Sequence, residues 1–346
     1  MKDSDEYLDN SYVATYVVAE KQSGIRLDHF LKLNYRKRSR EKIKKAILEG
    51  SISIERDELS PFAIGKLKSS LQLLAGDQVL VVSEKRPEPE VSFDFKIIFE
   101  DDHLLVINKP GNLPVHPAGR YFFNTLLVHL RTYGHRPDAA PDASGDRDYY
   151  LPHRIDKETS GILVLTKDSV SCSKLVGQFA KRQTKKKYLA IVHGTPPESF
   201  TVDAPLDRST SSAISVKMEV KKEGGYPSHT DFKRLGVYGQ FSLVECYPKT
   251  GRQHQIRVHL EHAGHPIVGD KLYGMPEAES LNYFEHKHLS PEALARLMIP
   301  RHALHAAGIT FEHPITGLDV SFESALPPDL ANFLVSSPAI GHPVSS

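Results

Sequence analysis

The feature that most constrains the fold is a series of short apolar segments after residue 93. IIFEDDHLLVINKP contains two such segments joined by an acidic turn, and ILVLT, KKKYLAIVHG, SVKMEV, SHTDFKRL and FSLVECYP follow. Their length and their β-branched and aromatic content are typical of strands. Many strands that do not alternate strictly with helices predict an α+β domain around a mainly antiparallel sheet.

Helix patterns are few in this region. Asn124 is a candidate cap for a helix through TLLVHLRTYG, and a second helix is predicted from about Ser169 to Lys181. A third is predicted at HQIRVHLEHAG, where Ile256, Leu260 and Ala263 fall on one face.

A smaller unit precedes this region, over residues 26–82. RLDHFLKLNY and SREKIKKAILEG predict two short helices, the second capped by Ser39 and followed by Gly50. SISIE alternates like a strand, and LLAGDQVLVV predicts a turn followed by a final strand. This order resembles the alpha-L RNA-binding fold, which is shared by a small-subunit ribosomal protein, tyrosyl-tRNA synthetases and several RNA-modifying enzymes.

These patterns give expected domain boundaries. Residues 1–23 are expected to be a flexible N-terminal segment, 24–84 the alpha-L RNA-binding domain and 85–92 a charged, proline-bearing linker. The larger, strand-rich domain is expected over 93–335, with a flexible tail at 336–346.

Composition fits a globular protein long enough for two domains, with 346 residues of which 25% are charged. The two cysteines, Cys172 and Cys246, form no C-x-x-C pair, so a reducing cytoplasm is the expected compartment. The sequence has no run of about 18 apolar residues, and its N-terminus lacks the continuous apolar segment of a signal peptide. We therefore expect neither a membrane span nor a signal peptide.

Net charge is +1, but the basic residues are concentrated in two runs. RKRSREKIKK, residues 36–45, has seven basic residues and one acid, and KRQTKKKY, residues 181–188, has five basic residues and no acid. Such runs are often solvated helix faces, but two of them in a nearly neutral chain favour phosphate contacts. The predicted RNA-binding residues in these runs are Arg36, Lys37, Arg38, Arg40, Lys42, Lys44, Lys45, Lys185, Lys186 and Lys187.

Several familiar chemistries have no support in the sequence. It contains no P-loop, no G-x-G-x-x-G after a strand and no G-x-S-x-G elbow. His259, His262 and His265 are spaced three apart, with His254 upstream, but nothing selects a fixed ligand set. We expect these imidazoles to contact backbone or RNA, and we expect no metal and no cofactor.

HRIDKETSG, residues 153–161, places Asp156 just before the buried strand ILVLT. Asp156 is either a turn residue that bonds backbone amides or a catalytic carboxylate, which can act as nucleophile or base. Arg252 and Arg257, in TGRQHQIRVHL, can orient such a carboxylate and keep it ionised. Tyr188 can stack on a base, although it can equally be a core residue. Arg252 is also predicted to bind RNA, since it can hold a phosphate, although it can equally cap a helix.

The motifs HRIDKETSGILVLTKD, KKKYLAIVHG, TGRQHQIRVHL, HPIVGDKLYG and HALHAAGITFEHPITG occur in the order seen in pseudouridine synthases of the RluA type. EDDHLLVINKPGNLPVHP also resembles that family, so the resemblance covers about residues 97–325. It implies that Asp156 is the essential aspartate, Tyr188 the active-site tyrosine and Arg257 the partner of the aspartate. Arg154 would enter the RNA near the vacated base.

Two departures from the family pattern are mild. Ile155 stands where leucine is usual, and residues 275–300 resemble an insertion.

The resemblance implies an isomerase that converts specific uridines of RNA to pseudouridine after base flipping. Large-subunit ribosomal RNA is the favoured substrate, transfer RNA is the alternative, and a monomer is expected. Three routes are open to Asp156: attack on C1′, addition to the uracil ring or removal of a sugar proton. The Tyr188 hydroxyl is the favoured acceptor of the C5 proton, with stacking alone as the alternative. Two rivals are a non-catalytic RNA-binding protein and a glycosidic-bond hydrolase, which usually needs a second acid.

Overall fold

The computed structural model describes residues 4–8, 11–34, 39–56, 67–84, 87–134 and 148–337. Arg36, Lys37 and Arg38, predicted to bind RNA, lie outside the described residues. The chain divides into two compact units. The first comprises Met1–Pro89, Gly119–Asn124 and Val128–Arg147, and the second comprises Glu90–Ala118, Thr125–Leu127 and Asp148–Ser346.

Within the Met1–Pro89 part of the first unit, the described residues form two helices and a small antiparallel sheet. The elements are β1 (Ser4–Leu8), β2 (Ser11–Val17), a 3-10 turn (Glu20–Gln22), α1 (Leu27–Asn34), α2 (Arg40–Leu48), β3 (Ile52–Glu55) and β4 (Gln78–Glu84). The strands pair in the order β1-β2-β4-β3. As predicted, the Ser39 side chain caps α2 by accepting from the Lys42 amide, and α2 buries Ile43 and Ile47.

The expectation of a flexible segment over residues 1–23 is wrong for the strand β2. This strand pairs with β4 from Ser11 opposite Glu84 to Val17 opposite Gln78. Ala14 and Tyr16 are buried against the helices, together with the following Val18. The alternation of buried and exposed positions in YVATYVV is the pattern of a half-buried strand.

A larger sheet forms the centre of the second unit. Its described strands are β5 (Lys96–Glu100), β6 (Leu104–Lys109), β7 (Ser160–Thr166), β8 (Lys185–His193), β9 (Ser199–Asp203), β12 (His229–Tyr238), β13 (Phe241–Pro248), β14 (Leu304–Glu312) and β15 (Asp319–Glu323). They are ordered β5-β6-β7-β14-β8-β13-β12-β9, with β15 beside β14. Within this described sheet, β7 and β14 pair in parallel and the other neighbours are antiparallel. The predicted α+β class is confirmed. A separate ribbon pairs β10 (Leu206–Arg208) with β11 (Met218–Val220).

The remaining described helices are α3 (Leu126–Tyr133), α4 (Ser169–Ala180), α5 (Gln255–His262), α6 (Glu277–His286), α7 (Pro291–Leu297) and α8 (Pro328–Ser336). Asn124 does not directly precede α3, and its side-chain amide donates to the Pro89 carbonyl. The insertion expected at 275–300 contains α6 and α7. Helix α8 continues to Ser336, and most of the expected tail, residues 338–346, lies outside the described residues. In the ranges that the structure describes, no helix is long and apolar enough to span a bilayer.

Gly161 explains how HRIDKETSG enters the sheet. It lies on β7 opposite Ala306 of β14, with φ +107°, and a Cβ there would overlap the Ala306 backbone. Glycine therefore permits both the backbone conformation and the close approach of the two strands. Because β7 is fixed in the sheet interior, the loop that precedes it has a defined position.

Candidate active site

Asp156 and Arg257 form an ion pair. Asp156 lies in the loop before β7, and Arg257 lies in the first turn of α5. Arg257 Nη1 donates to Asp156 Oδ2 at 2.9 Å. The Asp156 side chain is 27% exposed whereas that of Arg257 is 8% exposed. The carboxylate is therefore accessible from a pocket whose wall contains the guanidinium.

Asp270 holds the other edge of the Arg257 guanidinium. Arg257 Nε and Nη2 donate to the two Asp270 oxygens at 2.7 and 2.8 Å, and the Asp270 side chain is fully buried. The backbone amides of Leu272 and Tyr273 also donate to Asp270 Oδ1. Asp270 is not among the predicted site residues, although it lies in the HPIVGDKLYG motif. This two-pronged pairing fixes the direction in which Nη1 points.

A second set of contacts holds the loop that carries Asp156. The side chain of Lys109 is fully buried, and its Nζ donates to the carbonyls of Pro110, Leu113 and Lys157 at 2.7, 3.0 and 3.0 Å. The Thr159 amide donates to the Asp156 carbonyl. Lys109 thus ties the backbone next to Asp156 to the end of β6.

The electrostatics of this cluster keep Asp156 ionised. Burial alone would raise the pKa of Asp156, but His254 and Arg257 outweigh burial and hold that pKa well below its ordinary value. Burial is likewise outweighed at Asp270, where Arg257 lowers the pKa to about 2. Two carboxylates face one guanidinium, so one negative charge remains at neutral pH. Asp156 is the carboxylate that the pocket exposes.

His254 lies beside this ion pair. Its Nε2 is 3.9 Å from Asp156 Oδ2, and its Nδ1 is 2.9 Å from the Tyr273 hydroxyl oxygen. Burial, assisted by the charge of Arg257, lowers the pKa of His254 to about 4. The imidazole is therefore neutral at pH 7. The sequence indicates only that His254 belongs to a histidine-rich segment.

Tyr188 and Lys186 line the same pocket from strand β8. Burial and the charge of Asp156 raise the pKa of Tyr188 well above its ordinary value, so the phenolate is not populated at neutral pH. This disfavours the Tyr188 hydroxyl as acceptor of a proton. Lys186 Nζ donates to the Thr250 carbonyl at 2.9 Å, and burial lowers the pKa of Lys186 to about 8.

The neighbouring lysines of β8 do not line this pocket. Lys185 is exposed, and Lys187 Nζ pairs with Glu323 on β15 at 2.7 Å. Side chains alternate between the two faces of a strand, so Lys186 and Tyr188 share one face and Lys185 and Lys187 the other. The run KKK therefore brings only Lys186 to the pocket.

Arg154 and Arg252 lie at the pocket mouth, and both are exposed. Arg154 Nη1 donates to His116 Nε2 at 3.0 Å, and the Arg252 guanidinium lies 5.3 Å from the Tyr226 ring centre. The pocket volume is ≈ 110 Å³, several times what one water needs. Two guanidinium groups around such an opening are suited to bind phosphate groups.

In the first unit, Arg40 and Lys44 line a cleft between α1 and α2, together with Arg26 and Lys32. The other predicted basic residues of α2, Lys42 and Lys45, are exposed. Asp28 also lines this cleft and pairs with Arg26 at 2.9 Å. The cationic side chains of the cleft outnumber this one acid, as is suited to binding phosphates.

The histidine-rich segment of α5 has a structural explanation at His259. Its Nδ1 lies 2.9 Å from the Thr230 hydroxyl and its Nε2 lies 3.1 Å from the Ala204 carbonyl. In the part of the chain that the structure describes, no group of three or more His, Cys, Asp or Glu is arranged to hold a metal ion.

Comparison with known proteins identifies the family of this chain. Residues 103–262 match the family described as RNA pseudouridylate synthase. The chain is 36% identical to the ribosomal large subunit pseudouridine synthase D of Zymomonas mobilis, over 90% of this chain and 94% of that one. It is 33% identical to the ribosomal large subunit pseudouridine synthase C of Pasteurella multocida, over 95% of each chain.

A solved structure shares the fold. Human RNA pseudouridylate synthase domain containing 4 has a TM-score of 0.51 and 29% identity, covering 69% of this chain and 92% of that one. The resemblance drawn from the motifs is confirmed. The chain belongs to the RluA family of RNA pseudouridine synthases, enzymes that isomerise uridine in RNA.

Proposed function

We propose that this enzyme isomerises uridine in large-subunit ribosomal RNA, with Asp156 as the reacting carboxylate. The observation that carries the proposal is the Asp156–Arg257–Asp270 arrangement, which presents one ionised and accessible carboxylate to a small pocket. The choice of RNA is supported by the names of the relatives described above, which both specify the ribosomal large subunit.

The uridine must leave its stack before Asp156 can reach it, because a paired or stacked nucleotide is inaccessible. Arg154 fills or braces the vacated position, and Arg252 binds the backbone at the pocket mouth. Tyr188 packs against the flipped uracil, since its neutral ring lines the pocket beside Asp156. Arg257 orients Asp156 and keeps it ionised, as is needed for attack on C1′, addition to the ring or removal of a sugar proton.

The first unit supplies affinity and placement rather than chemistry. Arg40 and Lys44, in the cleft between α1 and α2, bind RNA phosphates, and the exposed Lys42 and Lys45 add to this surface. We propose an RNA-binding domain and a catalytic domain with a sequence boundary near residue 90, in a protein that works as a cytoplasmic monomer. Segment Gly119–Asn124 also belongs to the first unit, so neither domain is one continuous stretch of chain.

A hydrolase that releases free base is disfavoured by the surroundings of Asp156. Among the described residues that line the pocket, Asp156 is the one acid. Glu158, two residues later, accepts from Lys271 Nζ at 2.8 Å and from the His302 amide at 3.0 Å. Glu158 is therefore engaged in structural bonds and is not placed as a second acid.

The proposal is tested with RNA that carries tritium at C5 of uridine. Formation of the C5–C1′ bond releases the C5 proton, so tritium release, checked against pseudouridine formation, measures isomerisation. We expect release from transcripts of large-subunit ribosomal RNA and none from bulk transfer RNA. Release from transfer RNA alone would mean that the same reaction acts on transfer RNA instead. Release from neither RNA would contradict the proposed function.

A further inference from the structure

His254 occupies a constrained position in the pocket wall. Its backbone has φ +56°, in the left-handed region that few residues other than glycine adopt, and its side chain is 11% exposed. Backbone strain of this kind is concentrated at functional sites. The residue directly precedes α5, so the same turn that places Arg257 also places the imidazole.

The hydrogen bonds of Tyr273 determine which His254 nitrogen carries the hydrogen. The Tyr273 oxygen accepts from the Met218 amide at 3.0 Å and lies 2.9 Å from His254 Nδ1. A phenol has one hydrogen to donate, and within the described residues His254 Nδ1 is the acceptor in reach. Tyr273 therefore donates to Nδ1, and the ring hydrogen of His254 is on Nε2, the nitrogen near Asp156.

This N–H group is free to bind a substrate. At 3.9 Å, Asp156 Oδ2 is too distant for a hydrogen bond, and the described part of the chain offers Nε2 no other hydrogen-bond partner. Because the pKa of His254 is lowered to about 4, the ring is neutral at pH 7 and does not cancel the charge of Asp156. The pocket thus presents a fixed neutral donor next to the reacting carboxylate.

The reaction needs such a donor. When the N1–C1′ bond breaks, its electron pair stays with uracil, and the negative charge spreads onto the two carbonyl oxygens, O2 and O4. A half-turn of uracil about the axis through N3 and C6 exchanges N1 with C5 and O2 with O4. A donor beside the reacting bond therefore meets O2 in the substrate and O4 at the same place after the turn.

We propose that the Nε2–H group of His254 donates to this carbonyl oxygen and stabilises the uracil anion while the ring turns. The inference rests on the proposed function of the Asp156 pocket. The N1–C1′ bond breaks with its electron pair on uracil, the C5–C1′ bond forms, the proton from C5 passes to solvent, and N1 takes up one proton from solvent. His254 keeps its hydrogen throughout, and Tyr273 positions it.

Two substitutions separate the donor from the shape of the loop. His254→Gly suits the positive φ and removes the donor, whereas His254→Gln places an amide N–H close to the position of Nε2. We expect single-turnover tritium release to fall by about 10²–10³ in His254→Gly, the usual effect of losing one donor to a developing anion. RNA affinity should be unchanged. The rate of His254→Gln should be at least about tenfold higher than that of His254→Gly.

Added small molecules give a second test. They can restore a missing N–H donor, but they cannot repair a loop whose structure the substitution has changed. At about pH 8, neutral imidazole carries an N–H group whereas 1-methylimidazole does not. Imidazole should rescue His254→Gly, and 1-methylimidazole should not. Equal defects in the Gly and Gln variants, or equal rescue by both compounds, would overturn the inference.

Asp156→Asn, assayed in parallel, separates this inference from the proposed function. If Asp156→Asn is inactive while both His254 variants keep the wild-type rate, the inference about His254 fails and the site stands. If Asp156→Asn keeps its activity, the proposed function of the pocket fails, and the inference fails with it.

Discussion

Asp270 binds the Arg257 guanidinium through two hydrogen bonds, of 2.7 and 2.8 Å, and leaves Nη1 directed at Asp156. The Tyr273 ring lies 4.9 Å from the same guanidinium. A planar guanidinium can bridge two carboxylates in this way, and a lysine ammonium cannot reproduce the fork. The orientation of Asp156 therefore depends on Asp270, a buried residue that does not line the pocket.

Arg257→Lys should lower the single-turnover rate by at least about tenfold and leave RNA affinity nearly unchanged. The charge is retained, but one ammonium cannot hold Asp270 and direct a donor at Asp156 together. Arg296→Lys, on the exposed surface of α7, is the matched control and should behave as wild type. A wild-type rate in Arg257→Lys would mean that the two-sided pairing is not needed.

Tyr188→Phe should retain activity within about tenfold, because the raised pKa leaves the hydroxyl neutral and the ring is what packs on uracil. Tyr188→Ala should lose roughly 1–3 kcal/mol, the usual value of one base–aromatic stack. Rates of tritium release and of pseudouridine formation check both variants. If Tyr188→Phe remakes the glycosidic bond but retains tritium at C5, the hydroxyl does move the proton.

The change of kcat/KM with pH should be governed by Lys186, whose pKa is lowered to about 8. Below that value the ammonium is charged and attracts phosphate, and above it the charge is lost, so kcat/KM should fall as pH rises through about 8. Lys186→Arg keeps its charge beyond pH 10 and should remove this decline. Asp156 has a pKa well below its ordinary value and should cause no change above pH 5. An unaltered alkaline decline in Lys186→Arg would assign it to another group.

The salt dependence of RNA binding should include a contribution from the basic cleft of the first unit. Lys44→Ala and Arg40→Ala should each reduce the slope of log K against log salt by about 0.7–0.9, the effect of one lost phosphate contact. Single-turnover rates at saturating RNA should change little. Lys96→Ala, exposed on β5, serves as control. Unchanged slopes in both cleft variants would contradict a role of this cleft in RNA binding.

Local patterns predicted most of the fold. The capping of α2 by Ser39, the buried strand β7 and the apolar face of α5 each depend on residues within one element. The strand β2 was not predicted, because acidic residues before it masked the alternation around Ala14 and Tyr16. Its place in the sheet depends on pairing with β4, more than 60 residues later, which no local pattern contains.

The candidate site, like the fold, could be predicted from the sequence only in part. Motif order predicted that Asp156 and Arg257 meet, although they are 101 residues apart. The contributions of Asp270 and His254 depend on hydrogen bonds across folded segments, which neither spacing nor composition reveals. The basic run of β8 was predicted as a unit, but the strand directs alternate lysines to opposite faces, so Lys187 pairs with Glu323 instead.

The most direct test of the account is single-turnover tritium release by Asp156→Asn, measured together with its affinity for the same RNA. The substitution keeps the shape of the side chain and removes the charge that Arg257 stabilises. We predict that binding stays within about threefold of wild type while release falls by several orders of magnitude. Release within about tenfold of wild type would contradict the assignment of Asp156 as the reacting group.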